Sequence, residues 1–547
     1  IYERTAGSDD GVQGGGERMV HGRRRGDVSR RRFLRGAGAG LVLATGAGWI
    51  AACGGGAGET AQTGPPRPGG TLRVGMVGGG QVETLNVSHY TSDISITRQR
   101  QLFDSLVVLD PDLKNPQPAL AEELVPNAAF TSWTIRLRRG VTFHNDKELT
   151  ADDVLYTIRG WADQGSDAYS QIGRFVDLGS LRKRDEYTVE LPFTIRLAEI
   201  YGALVSPPCM VYQDGEKDFT NPAGTGPFKL AEFIPGRSST MVRNENYWES
   251  GRPYVDGLEI LSFNDATAAF NALQSGETDL MPRIPYTQAR VLEKGAGLLK
   301  LMVTEAPAST IMTMAVDMPP FDDVRVRQAM KCIVDREQMV NTVFLGFGTI
   351  GNDLAGPGLP RYAGSIPQRT QDIAKARQLL KEAGQEGLTV TLHTNSASPG
   401  LVEAAQLFAE QAKAAGVTVN IQQENPSAYY DPSQLYLKMP FYQETNSPLP
   451  ALSSNYLLAL ASDGPFNGTH WKDPQTDELL YQALGSSGAE ADATWERIQN
   501  RQWEEGGYIM WGQADFLDAM AMKVNGLVPN KLANAGNWTF KDVWLAS

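Results

Sequence analysis

One short motif in this chain of 547 residues has the spacing of a catalytic site. Ser180 and Lys183 stand in the order S-x-x-K, which carries the serine nucleophile of penicillin-binding enzymes. The companion motifs S-D-N and K-T-G are absent from the sequence, and so is the nucleophile motif G-x-S-x-G. Because one S-x-x-K is expected by chance in a chain of ordinary composition, we interpret it as a coincidence and expect no catalytic site.

Metal-binding chemistry is not indicated by the spacing of histidines and cysteines. No H-E-x-x-H motif occurs, and no two cysteines lie close together in sequence. The histidines considered as ligands are scattered: His89, His144, His393 and His470. We therefore expect no bound metal and no cofactor, and we expect Cys209 and Cys332 to be buried free thiols.

A glycine-rich stretch, Gly224–Pro227, could suggest a phosphate-binding loop. It lacks the Lys-Ser/Thr pair of a P-loop, and no helical pattern follows it. We interpret it as a tight turn with positive-φ glycines that leads into a strand over residues 228–230.

The N-terminal region has the layout of an export signal. The stretch Ser29–Arg35 is similar to the twin-arginine pattern S-R-R-x-F-L-K, and the glycine-rich apolar run that follows it is too short to span a membrane. The matching positions are Arg30, Arg31, Phe33 and Leu34. Residues 50–53 resemble a bacterial lipobox, so Cys53 is predicted to be the lipidated first residue of the mature chain. We expect residues 1–18 not to be translated, residues 19–52 to be the signal, and residues 53–70 to be the lipidated cysteine and a flexible tether.

The charge of the mature chain excludes some partners. Residues 1–52 hold nine of the 50 Lys and Arg and five of the 63 Asp and Glu, so residues 53–547 carry a formal charge of −17. So negative a chain does not suit nucleic acid or an anionic lipid surface. It suits a soluble body that a tether holds at the membrane.

Two stretches show the elements that would position a site. Residues 132–138 alternate apolar and polar side chains, which predicts a half-buried strand, and Thr150 is placed to cap a helix that follows it. Between residues 372 and 423 the pattern reads helix, strand, helix, strand. The last three elements predict a parallel β-α-β unit and therefore an α/β fold.

Several segments together resemble the extracellular solute-binding proteins of ABC transporters, in the peptide- and nickel-binding family 5. They occur in family order over residues 69–547: Pro118–Ile158, Asn221–Trp248, Ala272–Met281, Pro319–Val340 and Val524–Leu545. The first, for example, contains T-A-D-D-V where the family has T-A-x-D-V, and the second contains N-P-A-G-T-G-P-F-K-L.

The resemblance implies an α/β, two-lobed periplasmic-binding-protein-like fold of type II, with an extra N-terminal subdomain. Two lobes joined by a hinge would close around a ligand. The implied boundaries are lobe I at 71–105, 206–306 and 515–547, subdomain Ib at 106–205, and lobe II at 307–514.

The resemblance also implies a ligand-binding segment, residues 439–450. Peptide-binding family members hold the ammonium of the ligand with the aspartate of a W-x-x-D motif. Phe441 stands at the tryptophan position here, and Glu444 stands at the aspartate position with one more methylene. We hypothesise that Glu444 pairs with a cationic group of the ligand; the alternative is a solvated loop carboxylate.

Aromatic residues near this segment are further candidates, because ligand pockets are largely apolar and aromatic. Tyr442, Trp471 and Tyr90 are predicted to line the pocket, although each could instead pack in the core.

The predicted function is a membrane-tethered, monomeric receptor of an ABC importer on the outer face of the cytoplasmic membrane. It would bind oligopeptides or similar small solutes and deliver them to permease subunits, with no nucleic-acid partner. The alternatives are a receptor for a nickel or other metal complex or for an oligosaccharide, a sensory or chaperone-like binding protein, and a secreted hydrolase.

Overall fold

The computed structural model describes residues 64–80, 83–89, 92–295, 298–396, 398–425, 429 and 435–546. Several predicted functional residues lie outside these described residues: Arg30, Arg31, Phe33, Leu34, Cys53 and Tyr90.

Nineteen strands are found within the described residues. They are β1 (Thr71–Val77), β2 (Val107–Leu109), β3 (Pro116–Pro118), β4 (Ala121–Pro126), β5 (Ser132–Leu137), β6 (Arg182–Asp185), β7 (Thr188–Pro192), β8 (Phe228–Ile234), β9 (Ser238–Arg243), β10 (Gly257–Phe263), β11 (Leu280–Met281), β12 (Leu299–Met314), β13 (Gly348–Ile350), β14 (Thr389–Thr394), β15 (Thr418–Gln423), β16 (Phe441–Asn446), β17 (Tyr508–Ala521), β18 (Val524–Asn525) and β19 (Trp544–Leu545).

The helices alternate with these strands. They are α1 (Asp93–Leu102), α2 (Ala151–Trp161), α3 (Tyr201–Leu204), α4 (Ala266–Ser275), α5 (Tyr286–Glu293), α6 (Val324–Ile333), α7 (Arg336–Val343), α8 (Ile373–Glu382), α9 (Leu401–Lys413), α10 (Leu452–Ala459), α11 (Pro474–Leu484) and α12 (Gly488–Glu505). Two single turns of 3₁₀-helix occupy Gly173–Phe175 and Pro207–Cys209.

One sheet of eleven strands runs through the molecule. Its order is β15-β14-β16-β12-β17-β11-β1-β10-β9-β8, with β13 paired to β17 off this path. The antiparallel pair β12 and β17 lies in the middle, and these strands are 16 and 14 residues long. The two long strands therefore connect the strands predicted for lobe II on one side with those predicted for lobe I on the other.

A separate four-stranded sheet has the order β4-β5-β7-β6, and all four strands fall within residues 106–205. Trp133, Ile135 and Leu137 of β5 are buried, as their alternation predicts. Asp153 accepts a hydrogen bond from the backbone N–H of Thr150 at 2.9 Å, which completes a capping box at the start of α2. The boundaries between the lobes and subdomain Ib stay a prediction.

The predicted β-α-β unit is present. Asp372 caps α8 by accepting from the backbone N–H of Lys375 at 2.9 Å, and β14 and β15 pair in parallel on either side of α9 in the chain. The apolar faces of these helices pack with β12, β16 and β17 into one buried cluster that includes Phe408 and Phe441. A second cluster, containing Leu72 and Ile260, lies under α1 at the other end of the sheet. Cys209 and Cys332 are both buried and free.

The turn at Gly224–Pro227 exists, but the predicted reason for its glycines is wrong. Neither Gly224 nor Gly226 is among the described residues with positive φ. A Cβ on Gly224 would instead meet the carbonyl oxygen of Leu102 at 1.8 Å, and one on Gly226 would meet that of Gln101 at 2.4 Å. The glycines are needed because the turn packs directly against the C-terminal end of α1, a long-range contact that the local sequence does not show.

Replacing Gly224 with alanine should therefore lower the free energy of unfolding by about 3 kcal/mol, because a backbone oxygen cannot rotate out of the way. Gly364 is the matched control, since a Cβ there meets nothing within 4 Å and its φ is not positive. Thermal denaturation of G224A and G364A measures the difference. Equal melting temperatures for the two variants would contradict the packing argument.

Candidate functional site

A cavity of about 1350 Å³, including the solvent at its mouth, lies where several elements meet. Its lining comes from α1, from residues 205–207, from residues 436–466 and from residues 532–538. The first and last of these segments belong to the predicted lobe I, and the third belongs to the predicted lobe II. The lining mixes apolar side chains with amides, hydroxyls and a few charges, as small-molecule sites do.

One face of α1 supplies part of the lining. Ser92 caps the helix, and Asp93, Ile96 and Arg100 follow at helical spacing on the same face. Asp93 forms an ion pair with Arg283, with 2.7 Å between Oδ2 and Nη1. Burial raises the pKa of the Asp93 carboxyl, and the Arg283 guanidinium opposes that rise.

Arg100 has no carboxylate partner among the described residues. Its Nη2 donates a long hydrogen bond of 3.4 Å to the carbonyl of Val205, and its Nε is buried without a hydrogen-bond partner in the described part of the chain. Burial lowers the pKa of Arg100 to about 10, so the guanidinium still carries its charge at neutral pH.

Glu444 lines the same cavity from β16. Its side chain is buried, with 5% of the residue exposed. Thr313 donates a hydrogen bond of 2.7 Å to Oε1, and the hydroxyl of Tyr436 donates one of 3.3 Å to Oε2. Burial raises the pKa of Glu444 to about 7, against the lowering effect of these two donors. The carboxyl is therefore buried and not a solvated loop group.

Three of the predicted aromatic residues, Phe441, Tyr442 and Trp471, lie outside the described lining of the cavity. Phe441 is fully buried in the core, with its ring centroid 5.1 Å from that of Phe321. Tyr442 is also fully buried and lies behind Tyr436, whose ring centroid is 6.4 Å away. Both residues belong to β16, where Tyr442 shares a face with Glu444 but is covered by its neighbours.

Trp471 is buried, with 6% of its surface exposed, and it too lies outside the lining. Its backbone N–H donates to the side chain of Asn467, and its carbonyl accepts from the amide of the same residue at 2.7 Å. The backbone of Trp471 thus closes a tight local turn with Asn467.

A turn at the edge of the cavity, Asn534–Trp538, was not predicted from the sequence. Ala535, Gly536 and Asn537 have left-handed backbone angles, and the buried carboxylate of Asp518 holds the turn in place. Asp518 accepts from the side-chain amide of Asn534 at 2.9 Å and from the backbone N–H of Ala535 at 2.8 Å. Burial raises the pKa of Asp518 to about 6. The only signal in the sequence is the Asn and Gly content of this segment, since these residues tolerate left-handed angles.

The described residues contain neither a metal-binding cluster nor a membrane-spanning helix. No group of three or more His, Cys, Asp or Glu side chains in the described chain is arranged to hold a metal ion. Among the helices that the structure describes, none is both long and apolar enough to cross a bilayer.

Comparison with known proteins decides the family. The model for the bacterial extracellular solute-binding proteins, family 5 Middle, matches residues 115–468. This chain belongs to that family. The oligopeptide-binding protein AppA of Bacillus subtilis (strain 168) is 28% identical over 389 residues, which cover 66% of this chain and 70% of that protein.

Two further relatives extend the match. The glutathione-binding protein GsiB of Shigella dysenteriae is 25% identical over 453 residues, 79% of this chain and 87% of that protein. The solved structure of DppA from Helicobacter pylori, an ABC transporter-associated periplasmic binding protein in complex with the peptide STSA, superposes with a TM-score of 0.76 at 20% identity. It covers 88% of this chain and 99% of that one. The predicted two-lobed α/β fold of type II is thereby confirmed.

The family assignment also fixes the class of function. This family 5 member is a solute-binding protein, and its family is extracellular. AppA and GsiB are both named as binding proteins, which favours binding over catalysis.

Proposed function

We propose that this protein is the solute receptor of an ABC importer, and that the cavity described above binds a small solute and presents it to permease subunits. The observation that carries the proposal is the buried carboxyl of Glu444, which lines an open cavity and has no cationic partner among the described residues. A buried carboxylate is costly unless it is paired, so this position is suited to a cationic group of a ligand.

The family supports this reading of the site. AppA is named for oligopeptides and GsiB for glutathione, and each of these solutes carries an ammonium group.

The test is solute capture from a complex mixture. The purified protein is unfolded and refolded to remove what it carries, incubated with yeast extract and tryptic casein digest, and separated from free solute. We expect one bound solute per chain by native mass spectrometry, a smaller radius of gyration by X-ray scattering, and release of the solute chemically unchanged. Cleaved products, or the absence of any retained solute, would overturn the proposal.

We further propose that the mature chain is a monomer anchored through lipidated Cys53 after twin-arginine export. The lipobox-like residues 50–53 and the twin-arginine pattern support this. In an exporting bacterial host, C53S should move the protein from the membrane fraction to the soluble fraction and abolish labelling by an alkyne fatty acid. Unchanged labelling of C53S would exclude this residue as the anchor.

A further inference from the structure

Only some of the charged side chains in the cavity lining form ion pairs with each other. Four acidic or basic side chains are found among the described lining residues: Asp93, Arg100, Arg283 and Glu444. Asp93 and Arg283 pair with each other at 2.7 Å. Arg100 and Glu444 form no ion pair with any described residue, so the cavity keeps one uncompensated cation and one uncompensated carboxyl.

Arg100 has unused hydrogen-bonding capacity. A guanidinium carries five N–H donors in a fixed planar fork. Within the described residues, Arg100 makes one long hydrogen bond, to the Val205 carbonyl, and its Nε makes none. A half-buried guanidinium with so few partners is poorly satisfied in the empty protein, and an oxyanion supplied by a solute would satisfy it in the bidentate manner that guanidinium favours.

The two uncompensated groups come from different parts of the fold. Arg100 lies on α1 in the predicted lobe I, and Glu444 lies on β16 in the predicted lobe II. The lining also contains the neutral amides of Asn446, Asn455 and Asn537. Such an arrangement suits a solute with one anionic end, one cationic end and polar groups between them.

We propose that Arg100 determines specificity by binding an anionic group of the solute, so that the preferred solutes are zwitterions with an oxyanion and an ammonium or guanidinium group. This inference rests on the proposed function. The oxyanion is a carboxylate or a phosphate monoester, because both fit a guanidinium fork.

The experiment compares four proteins loaded from the same yeast extract and tryptic casein digest: wild type, R100M, R100K and R159M. Methionine keeps the length of the side chain and removes its charge, and lysine keeps the charge but loses the fork. Arg159 is an exposed arginine of α2 outside the lining and serves as the matched control. Retained solutes are identified by mass spectrometry, sorted into carboxylates and phosphates, and the most abundant is titrated by calorimetry.

We expect the wild type and R159M to retain zwitterions, R100M to bind the titrated solute on the order of 100-fold more weakly, and R100K to lie between them. The C-terminal amide, or the phosphate-free form, of the same solute should bind wild type and R100M equally. Melting temperatures of the empty proteins verify that all four are folded.

The outcomes separate this inference from the function on which it rests. Retained solutes without an anionic group, or an R100M affinity within twofold of wild type, overturn the role of Arg100 and leave the receptor function intact. No retained solute in any of the four proteins overturns both.

Discussion

Replacing Asp353 with asparagine should lower the free energy of unfolding by about 3–5 kcal/mol, the usual cost of removing one partner from a buried ion pair. Asp353 is fully buried. It accepts from Arg336 Nη2 at 2.7 and 2.9 Å and from Arg369 Nε at 2.8 Å. Lys331, whose pKa burial lowers to about 7, is stabilised in its charged form by the same carboxylate. Without it, the two arginines remain buried and unneutralised.

Asparagine removes the negative charge of Asp353 and keeps the size and shape of the side chain. Asp353 has φ of 59°, and both Asp and Asn tolerate this left-handed conformation. The matched control is E410Q, which breaks the exposed ion pair between Glu410 and Lys413 and should change stability by less than about 0.5 kcal/mol. Thermal or urea denaturation of both variants measures the contrast.

The pH dependence gives this prediction a second readout. Burial raises the pKa of Asp353, but Arg336, Arg369 and Lys331 together hold it below its usual value of 3.8. The stabilising contribution of the carboxylate is therefore complete above pH 3.8. It is lost as pH falls through the depressed pKa, so the gap between wild type and D353N should narrow at strongly acidic pH. A D353N melting temperature equal to that of wild type at pH 7 would show that the carboxylate is dispensable.

Replacing Glu444 with glutamine should weaken binding of a cationic solute by about 100-fold or more, because the ligand then loses a buried charge partner. The wild type should also lose affinity in acid. Binding of a cation requires the ionised carboxyl, whose pKa in the empty protein is about 7. Affinity should therefore fall about tenfold for each pH unit well below 7, whereas E444Q should show no such fall on the acid side. Calorimetric titration of the retained solute between pH 5 and 9 measures both effects.

The neighbours of Glu444 make this pH profile simple to interpret. Glu444 accepts hydrogen bonds from Thr313 and Tyr436. Burial, together with the Glu444 carboxylate, raises the pKa of the nearby Tyr442 and Tyr508 hydroxyls. No charged side chain among the described residues pairs with Glu444. The empty E444Q protein should be no less stable than wild type at pH 8, because ionising the buried carboxyl costs the folded state free energy. The control is E424Q, because Glu424 is a carboxylate outside the cavity lining that pairs with His393. Equal solute affinity in E444Q and wild type would show that Glu444 does not bind the cationic group of the solute.

Local patterns made much of the fold predictable. The cap at Thr150, the alternation along β5 and the β-α-β unit after Asp372 each depend on residues close together in sequence, and each is present in the structure. The family resemblance supplied the fold class, and it pointed to Glu444 as a residue of interest.

The contacts of the site were less predictable because they are long-range. Alternation along β16 cannot show that Tyr436 packs against Tyr442. Nothing near Arg100 in the sequence shows that none of the described carboxylates pairs with it. The available signal was the spacing of Asp93, Ile96 and Arg100 on one face of a helix capped by Ser92. It indicates a site only once the other segments that line the cavity are known.

The long strands β12 and β17 have a consequence for how the permease would recognise the receptor. Their pairing is interrupted between Thr304 and Ala308 and shifts again between Thr310 and Ile311. At such irregularities the hydrogen-bond ladder is locally disrupted and the strand bends. If the two halves reoriented by bending only at these two interruptions, each half would stay unchanged, and one permease could recognise the closed receptor with different solutes bound.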